Sequence, residues 1–157
     1  MSNRAIVEQF YTAFARLDFQ TMQGLYSDDA IFSDPVFLTL DASQVRAMWQ
    51  MLSSGAKDWS LSWGGIEEID EEYITCKWVA QYTFSGTGRS VVNHVKAYMR
   101  IREGKIIEHS DAFRLSKWMG QALGWKGVLF GWTSVMKKAV QRKARRRLDS
   151  YMEKWSY

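Results

Sequence analysis

Apolar residues recur along this chain at two different periods, and the change from one to the other divides it. Ile6, Phe10, Phe14 and Leu17 fall at helical spacing, so the chain opens with an amphipathic helix. Asp18 can cap a second, short helix whose buried side is Phe19, Met22 and Leu25 or Tyr26. SDDAIFSDPVF then breaks the pattern, because Pro35 disfavours helical backbone at Asp34 and has no N–H to donate. Asp41, with Gln44 three residues on, has the form of a capping box. Val45, Met48, Trp49 and Leu52 form the stripe of the third helix that follows it.

After Gly55 the period becomes two. Trp59, Leu61 and Trp63 alternate with polar residues, and Cys76, Trp78, Ala80, Tyr82 and Phe84 alternate with Lys77, Val79, Gln81 and Thr83. Past the SGTG turn, Val91, Asn93, Val95, Ala97, Met99 and Ile101 share one side, and Val92, His94, Lys96, Tyr98 and Arg100 share the other. Strands joined by short Gly turns imply a curved antiparallel sheet. Carried through SGTG, the pairing sets Asn93 near Ala80 and Trp78 near Val95. A three-residue Arg102-Glu103-Gly104 loop would set Ala97 opposite His109 and Val95 opposite Asp111. That loop length is preferred because a one-residue slip would turn Lys96, Tyr98 and Arg100 inward. The expected fold is therefore α+β: a cone of N-terminal helices on a strongly curved antiparallel sheet, enclosing a pocket.

The last strand, within Lys105–Leu115, carries the candidate chemistry. Ile107, His109, Asp111, Phe113 and Leu115 fall on its inner side. An imidazole and a carboxylate about 6–7 Å apart along an apolar strand face are costly unless paired or used. Such a pair can hold a base suited to removing a proton beside a carbonyl, with Asp111 as base and His109 orienting it or polarising the substrate. The bland alternative is a satisfied polar pair within a structural cone. Asp34 has a bland alternative of its own, since aspartate before proline often only orders a turn. His94 falls on the outer face.

Composition narrows the classes. Hydrophobic residues make up 46% of the chain and aromatics 15%, which excludes global disorder and suits a lined cavity. Cys76 is the only cysteine, so no internal disulfide is possible and a reducing compartment is expected. MSNRAIVEQF lacks the apolar stretch of a secretory signal, so the expected location is cytoplasmic. No metal-ligand spacing and no Gly-rich phosphate loop occur, so neither a metal nor a nucleotide cofactor is expected. The net charge of +4 belongs to one segment, Lys137 to Arg147. Without it the chain is slightly acidic, and the body is not a nucleic-acid binder by charge.

YSDDAIFSDPVF and GKIIEHSD, in this order and with these helices and strands, resemble the nuclear transport factor 2-like superfamily. The likeness is to its SnoaL-like (polyketide cyclase and ketosteroid isomerase-related) members and spans about residues 4–115. The resemblance implies a role for Asp34, which matches the isomerase's general base, and for Tyr26, at a tyrosine of its polar network. It also puts Phe10 where the isomerase has its oxyanion tyrosine and Ala97 where it has a carboxylic acid, so steroid isomerisation by that route is not expected. Asp111 falls where the SnoaL-like cyclases carry their acid–base aspartate, with His109 beside it. The limonene epoxide hydrolase branch needs an Asp-Arg-Asp set, and the expected inner face has no arginine.

The reading that follows is a small apolar molecule bound in the cone, with isomerase- or cyclase-like acid–base chemistry next to a carbonyl. Asp111, His109 and Asp34 are the catalytic candidates. Tyr26, Asn93, Phe10, Trp49, Trp78, Tyr82 and Phe113 are the candidates for substrate contact. The rival is a non-catalytic module for a hydrophobic ligand or a protein partner. A homodimer through the half-apolar outer sheet face (Val79, Val92, Tyr98, Thr83) is expected by resemblance. The cone is assigned to residues 1–116 and a Gly/Trp-rich segment with a basic helix to residues 117–157. From Thr133, a stripe of Met136, Val140, Ala144, Leu148, Tyr151 or Met152, and Trp155 marks that helix. Three readings of the extension stay open: cover over the cone's mouth, a partner or dimer helix, or an element at a membrane surface.

Overall fold

The computed structural model describes residues 1–155, so the last two positions of the 117–157 extension lie outside the described residues. Its elements run α1 (Asn3–Ala15), α2 (Phe19–Gly24), β1 (Tyr26–Asp34), β2 (Leu38–Asp41), α3 (Ala42–Gly55), β3 (Ser60–Glu68), β4 (Tyr73–Phe84), β5 (Arg89–Arg102), β6 (Lys105–Ala112), α4 (Leu115–Leu123), α5 (Trp125–Phe130) and α6 (Ser134–Trp155). The expected α+β cone is present.

Side chains close the open donors at each N-terminal helix start. Ser2 and Asp18 accept from Ala5 and Thr21, and Asp41 and Gln44 form the full reciprocal box. The first helix ends at Ala15, and Leu17 turns the chain with φ +58° rather than extending the stripe. Ile6, Val7, Phe10, Tyr11 and Phe14 are buried, and each such large side chain contributes about 1.5–3 kcal/mol through burial.

The six strands follow the order β2-β1-β6-β5-β4-β3. Trp78 pairs with Val95 and Ala80 with Asn93, as the SGTG turn implied. The stretch read only as a break in helical pattern is two strands, β1 and β2, and β1 lies parallel to β6.

The β5–β6 hairpin corrects one expected register. Arg102 pairs with Lys105, so the loop is the two-residue Glu103-Gly104, both in the left-handed region at φ +52° and +74°. A bulge then skips Ile107, between the pairs Arg100↔Glu108 and Ile101↔Ile106. Ala97 therefore faces Asp111 and Met99 faces His109, one pair away from the expected match. The two differences compensate in parity, so His109 and Asp111 still point inward, while Ile106 rather than Ile107 is the buried isoleucine.

Candidate functional site

His109 is the centre of a buried chain of hydrogen bonds. Its Nε2 lies 2.9 Å from Asp111 Oδ1 and its Nδ1 lies 2.6 Å from the Tyr26 hydroxyl. The Trp49 indole N–H donates to that hydroxyl at 3.0 Å. One arrangement of protons satisfies every member. Trp49 donates to Tyr26, Tyr26 donates to Nδ1 of neutral His109, and His109 donates through Nε2–H to the Asp111 carboxylate. An imidazolium would donate from both nitrogens and leave the Tyr26 hydrogen without an acceptor. Burial raises the Tyr26 hydroxyl well above the ordinary tyrosine range, which keeps its proton in place as the donor. Phe10 and Phe32 stand edge-on to the His109 ring at 5.5 and 5.1 Å between centroids, fixing its plane.

Asp34 arrives from the neighbouring strand. The parallel pairing aligns Phe32 with His109 and Ser33 with Ser110, so the next residues, Asp34 and Asp111, leave adjacent strands on the same face. Its Oδ1 accepts from the backbone N–H groups of Val36 and Phe37 at 2.8 and 2.6 Å, across the turn that Pro35 starts. Burial pushes the Asp34 carboxyl up to about 6; the Phe37 and Val36 bonds oppose that rise, and the nearby Asp111 charge adds to it.

Both aspartates line a cavity of about 220 Å³. Of the other sequence candidates, Trp49, Trp78, Tyr82, Asn93 and Phe113 line it too. Tyr26, Phe10 and His109 do not: they lie buried behind its wall. With both its ring nitrogens taken, His109 can orient Asp111 but has no free nitrogen to offer a substrate carbonyl. Asp111 Oδ1 holds His109, which leaves Oδ2 for a ligand. The Asn93 carboxamide has no hydrogen bond to the described residues and is available to a polar atom of a guest.

The C-terminal helices add lining that sequence reasoning missed. Trp118 of α4 reaches the cavity and donates to the Tyr82 hydroxyl at 2.7 Å. Ala144 and Arg147 of α6 line it from the far side, and Gln141 ties α6 to the Pro35 carbonyl at 3.0 Å. The arginine of the lining, Arg147, enters from the helix and not from the inner face of the sheet, where none was expected. Its signal was faint, a position beside the Ala144–Leu148 stripe. Leu52, expected in the third helix's buried stripe, is instead partly exposed where it lines the cavity. Among the described residues no three His, Cys, Asp or Glu cluster as a metal site.

Two carboxylates on one wall of an otherwise aromatic and aliphatic cavity can exchange protons with a bound molecule. One is held by an oriented imidazole, and the other titrates near neutrality.

The SnoaL-like domain family model matches residues 7–109. The structure is similar to an NTF2-like protein of unknown function from Burkholderia pseudomallei, at 20% identity and a TM-score of 0.67, covering 78% of this chain and 98% of that one. It is also similar to IdmH of Streptomyces antibioticus, a candidate polyketide cyclase, at 21% identity and a TM-score of 0.63, covering 75% and 96%. An LEH-like epoxide hydrolase from M. tuberculosis aligns at 17% identity and a TM-score of 0.63, covering 80% and 90%. At these identities the structures show a shared fold. No curated protein matches the sequence.

Proposed function

The chain belongs to the SnoaL-like domain family, and we propose that it binds a small apolar carbonyl compound and moves a proton on it. The observation that carries this reading is the convergence of Asp34 and Asp111 on one cavity whose remaining wall is mostly apolar. In this scheme Asp111 Oδ2 takes the proton from the carbon next to the carbonyl. Asp34, protonated in part near pH 6, supplies a proton to the developing enolate oxygen or to the product carbon. Asn93 is the polar group that positions the carbonyl. His109 acts through Asp111 as a positioning residue. At about 220 Å³ the cavity is below the roughly 300–1,000 Å³ of drug-sized sites, which favours a compact guest over an extended polycycle.

Deuterium uptake by a panel of compact apolar ketones in D₂O, followed by NMR, tests the proposal. Catalysed uptake that Asp111→Asn lowers by about 10²–10⁴-fold supports it. Uptake unchanged in Asp111→Asn sinks the assignment, and saturable binding without uptake replaces it with the ligand-binding module.

A further inference from the structure

The stretch from Trp125 to Val135 turns its large apolar side chains outward. Trp125, Val128, Leu129, Phe130, Trp132 and Val135 are each 48–76% exposed, and they are six of the fourteen exposed large hydrophobics among the described residues. The cause is local. Helix α5 packs on α4 through glycine: a Cβ on Gly127 would collide with the Met119 carbonyl, and one on Gly131, which caps α5, would crowd the Met119 side chain. Gly124, at φ +74°, makes the turn that lets α5 fold back. With the small residues facing the body, the bulky ones form the tip. This inverts the usual amphipathic helix, whose apolar side faces the core.

Charge surrounds this tip on one side only. From Ala112 to Leu148 the chain has no Asp or Glu, and it carries 10 Lys and Arg; the rest of the chain has 11 against 17 acids. Lys137 and Lys138 follow the tip within two turns of α6, with Arg142 and Lys143 beyond. Among the described residues none of these four has an acidic partner, whereas Arg145 pairs with Asp149 at 3.2 Å. Lys126, in the tip itself, stands over the Trp125 ring. No helix among the described residues is long and apolar enough to cross a membrane.

We propose that the α5 tip and the adjoining basic turns of α6 dock on the surface of a bilayer rich in anionic phospholipid. Two tryptophans, Phe130 and Leu129 suit the boundary between headgroups and acyl chains, and the lysines suit the headgroup phosphates and carboxylates. The absence of acids over the whole segment is what favours an anionic bilayer over a protein partner, whose surface mixes both signs. The tip is presented rigidly, because its glycine side is pressed against α4.

Vesicle sedimentation of the full chain tests this, with phosphatidylcholine alone against phosphatidylcholine containing about one-third phosphatidylserine. Binding to the anionic vesicles at least tenfold stronger than to the neutral ones is expected, with loss as salt rises. Lys137→Gln with Lys138→Gln weakens that binding by about 25-fold, at roughly fivefold per cation. Leu129→Ser with Trp132→Ser abolishes it through a different part of the surface; Leu129, Trp132 and Lys138 are exposed and Lys137 is half-buried, so melting temperatures serve as the folding control. Equal affinity for the two vesicle types overturns the proposal, as does binding that neither pair changes. Concentration-dependent self-association lost in Leu129→Ser with Trp132→Ser, with no vesicle binding, overturns it in favour of a second copy. Retention by nucleic acid alone overturns it likewise.

Discussion

Replacing Tyr26 with Phe removes one oxygen from the buried relay and leaves its packing in place. The ring keeps its edge contact with Phe10, at 5.9 Å between centroids, and its stacking on His109, at 6.0 Å. The hydroxyl, however, is the hydrogen-bonded link between Trp49 and His109, whose rings otherwise only stack, at 6.3 Å between centroids. Without it the Trp49 N–H loses its 3.0 Å acceptor and the His109 Nδ1 loses its 2.6 Å partner, both in a fully buried setting. Neither tautomer of His109 repairs the loss, because Nε2–H stays committed to Asp111. A buried polar group left unmatched costs about 1–3 kcal/mol, so the two together cost about 2–6 kcal/mol. In a chain of this size that lowers the melting temperature by roughly 4–24 °C. Urea unfolding, read as midpoint at constant slope, measures it. Tyr11 supplies the control. Its hydroxyl and the Trp78 indole N–H are close enough to influence each other but make no hydrogen bond, so both are buried and unmatched. Tyr11→Phe therefore removes no hydrogen bond and leaves stability unchanged or raised, by up to about 3 kcal/mol. If Tyr26→Phe costs no more than Tyr11→Phe, the relay is not a connected chain and the assigned tautomer of His109 is wrong.

Asp34 makes stability depend on pH with a sign opposite to that of a salt-bridged carboxylate. Its folded value of about 6 lies above the unfolded 3.8, so the native state holds more protons between the two, and stability is lost as pH rises through that window. The loss is at most about 3 kcal/mol, and Asp34→Asn removes it; parallel pH series of the two proteins that keep the same slope between these values would refute the assignment. Asp41→Ala deletes the side-chain half of the α3 capping box, the Gln44 N–H to Asp41 Oδ1 bond, and costs about 1 kcal/mol, seen as a melting temperature lower by about 2–4 °C. Gly127→Ala forces α5 off the Met119 carbonyl, so limited proteolysis moves to residues 124–133 while the cone stays intact; an unchanged digestion pattern contradicts that packing.

The parts of the fold legible in sequence were those held by near neighbours. The capping box at Asp41, the Asp18 cap and the alternation of β4 and β5 each depend on residues a few positions apart, and each appears as read. The β1 strand was missed because its burial does not alternate: a register shift between Tyr26 and Ile31 breaks the period, and Asp28 and Asp29 stand exposed in its middle. Pro35 signalled a break there, and a break between two strands looks the same as a break between two helices. The β5–β6 register went wrong for a related reason. Apolar parity allows any even shift, so it identified the inward face of β6 without counting the bulge at Ile107.

The same distinction explains the site. His109 and Asp111 share a face because they are two residues apart on one strand, and that much is local. What turns them into an oriented pair is not local: Tyr26 lies 83 positions from His109, and Trp49, on α3, lies 23 positions from Tyr26. Their meeting depends on the parallel contact of β1 with β6, which no periodicity announces. That contact also brings Asp34 alongside Asp111, so one unforeseen strand pairing supplies both the brace behind the wall and the second carboxylate on it. Arg147 and Trp118 come from the C-terminal helices, for which the sequence left cover over the cone's mouth open beside a partner helix and a membrane-surface element. The cavity is thus walled by two sets of residues with different physical origins. The sheet and its relay hold the carboxylates rigidly, through buried hydrogen bonds. Trp118 on α4 and Ala144 and Arg147 on α6 fill the remaining side, joined to the cone by bonds such as Trp118 to Tyr82 and Gln141 to Pro35. Under the proposed function, substitutions in the relay alter the rate of proton exchange on a bound guest, and substitutions at Trp118 or Arg147 alter which guest is bound.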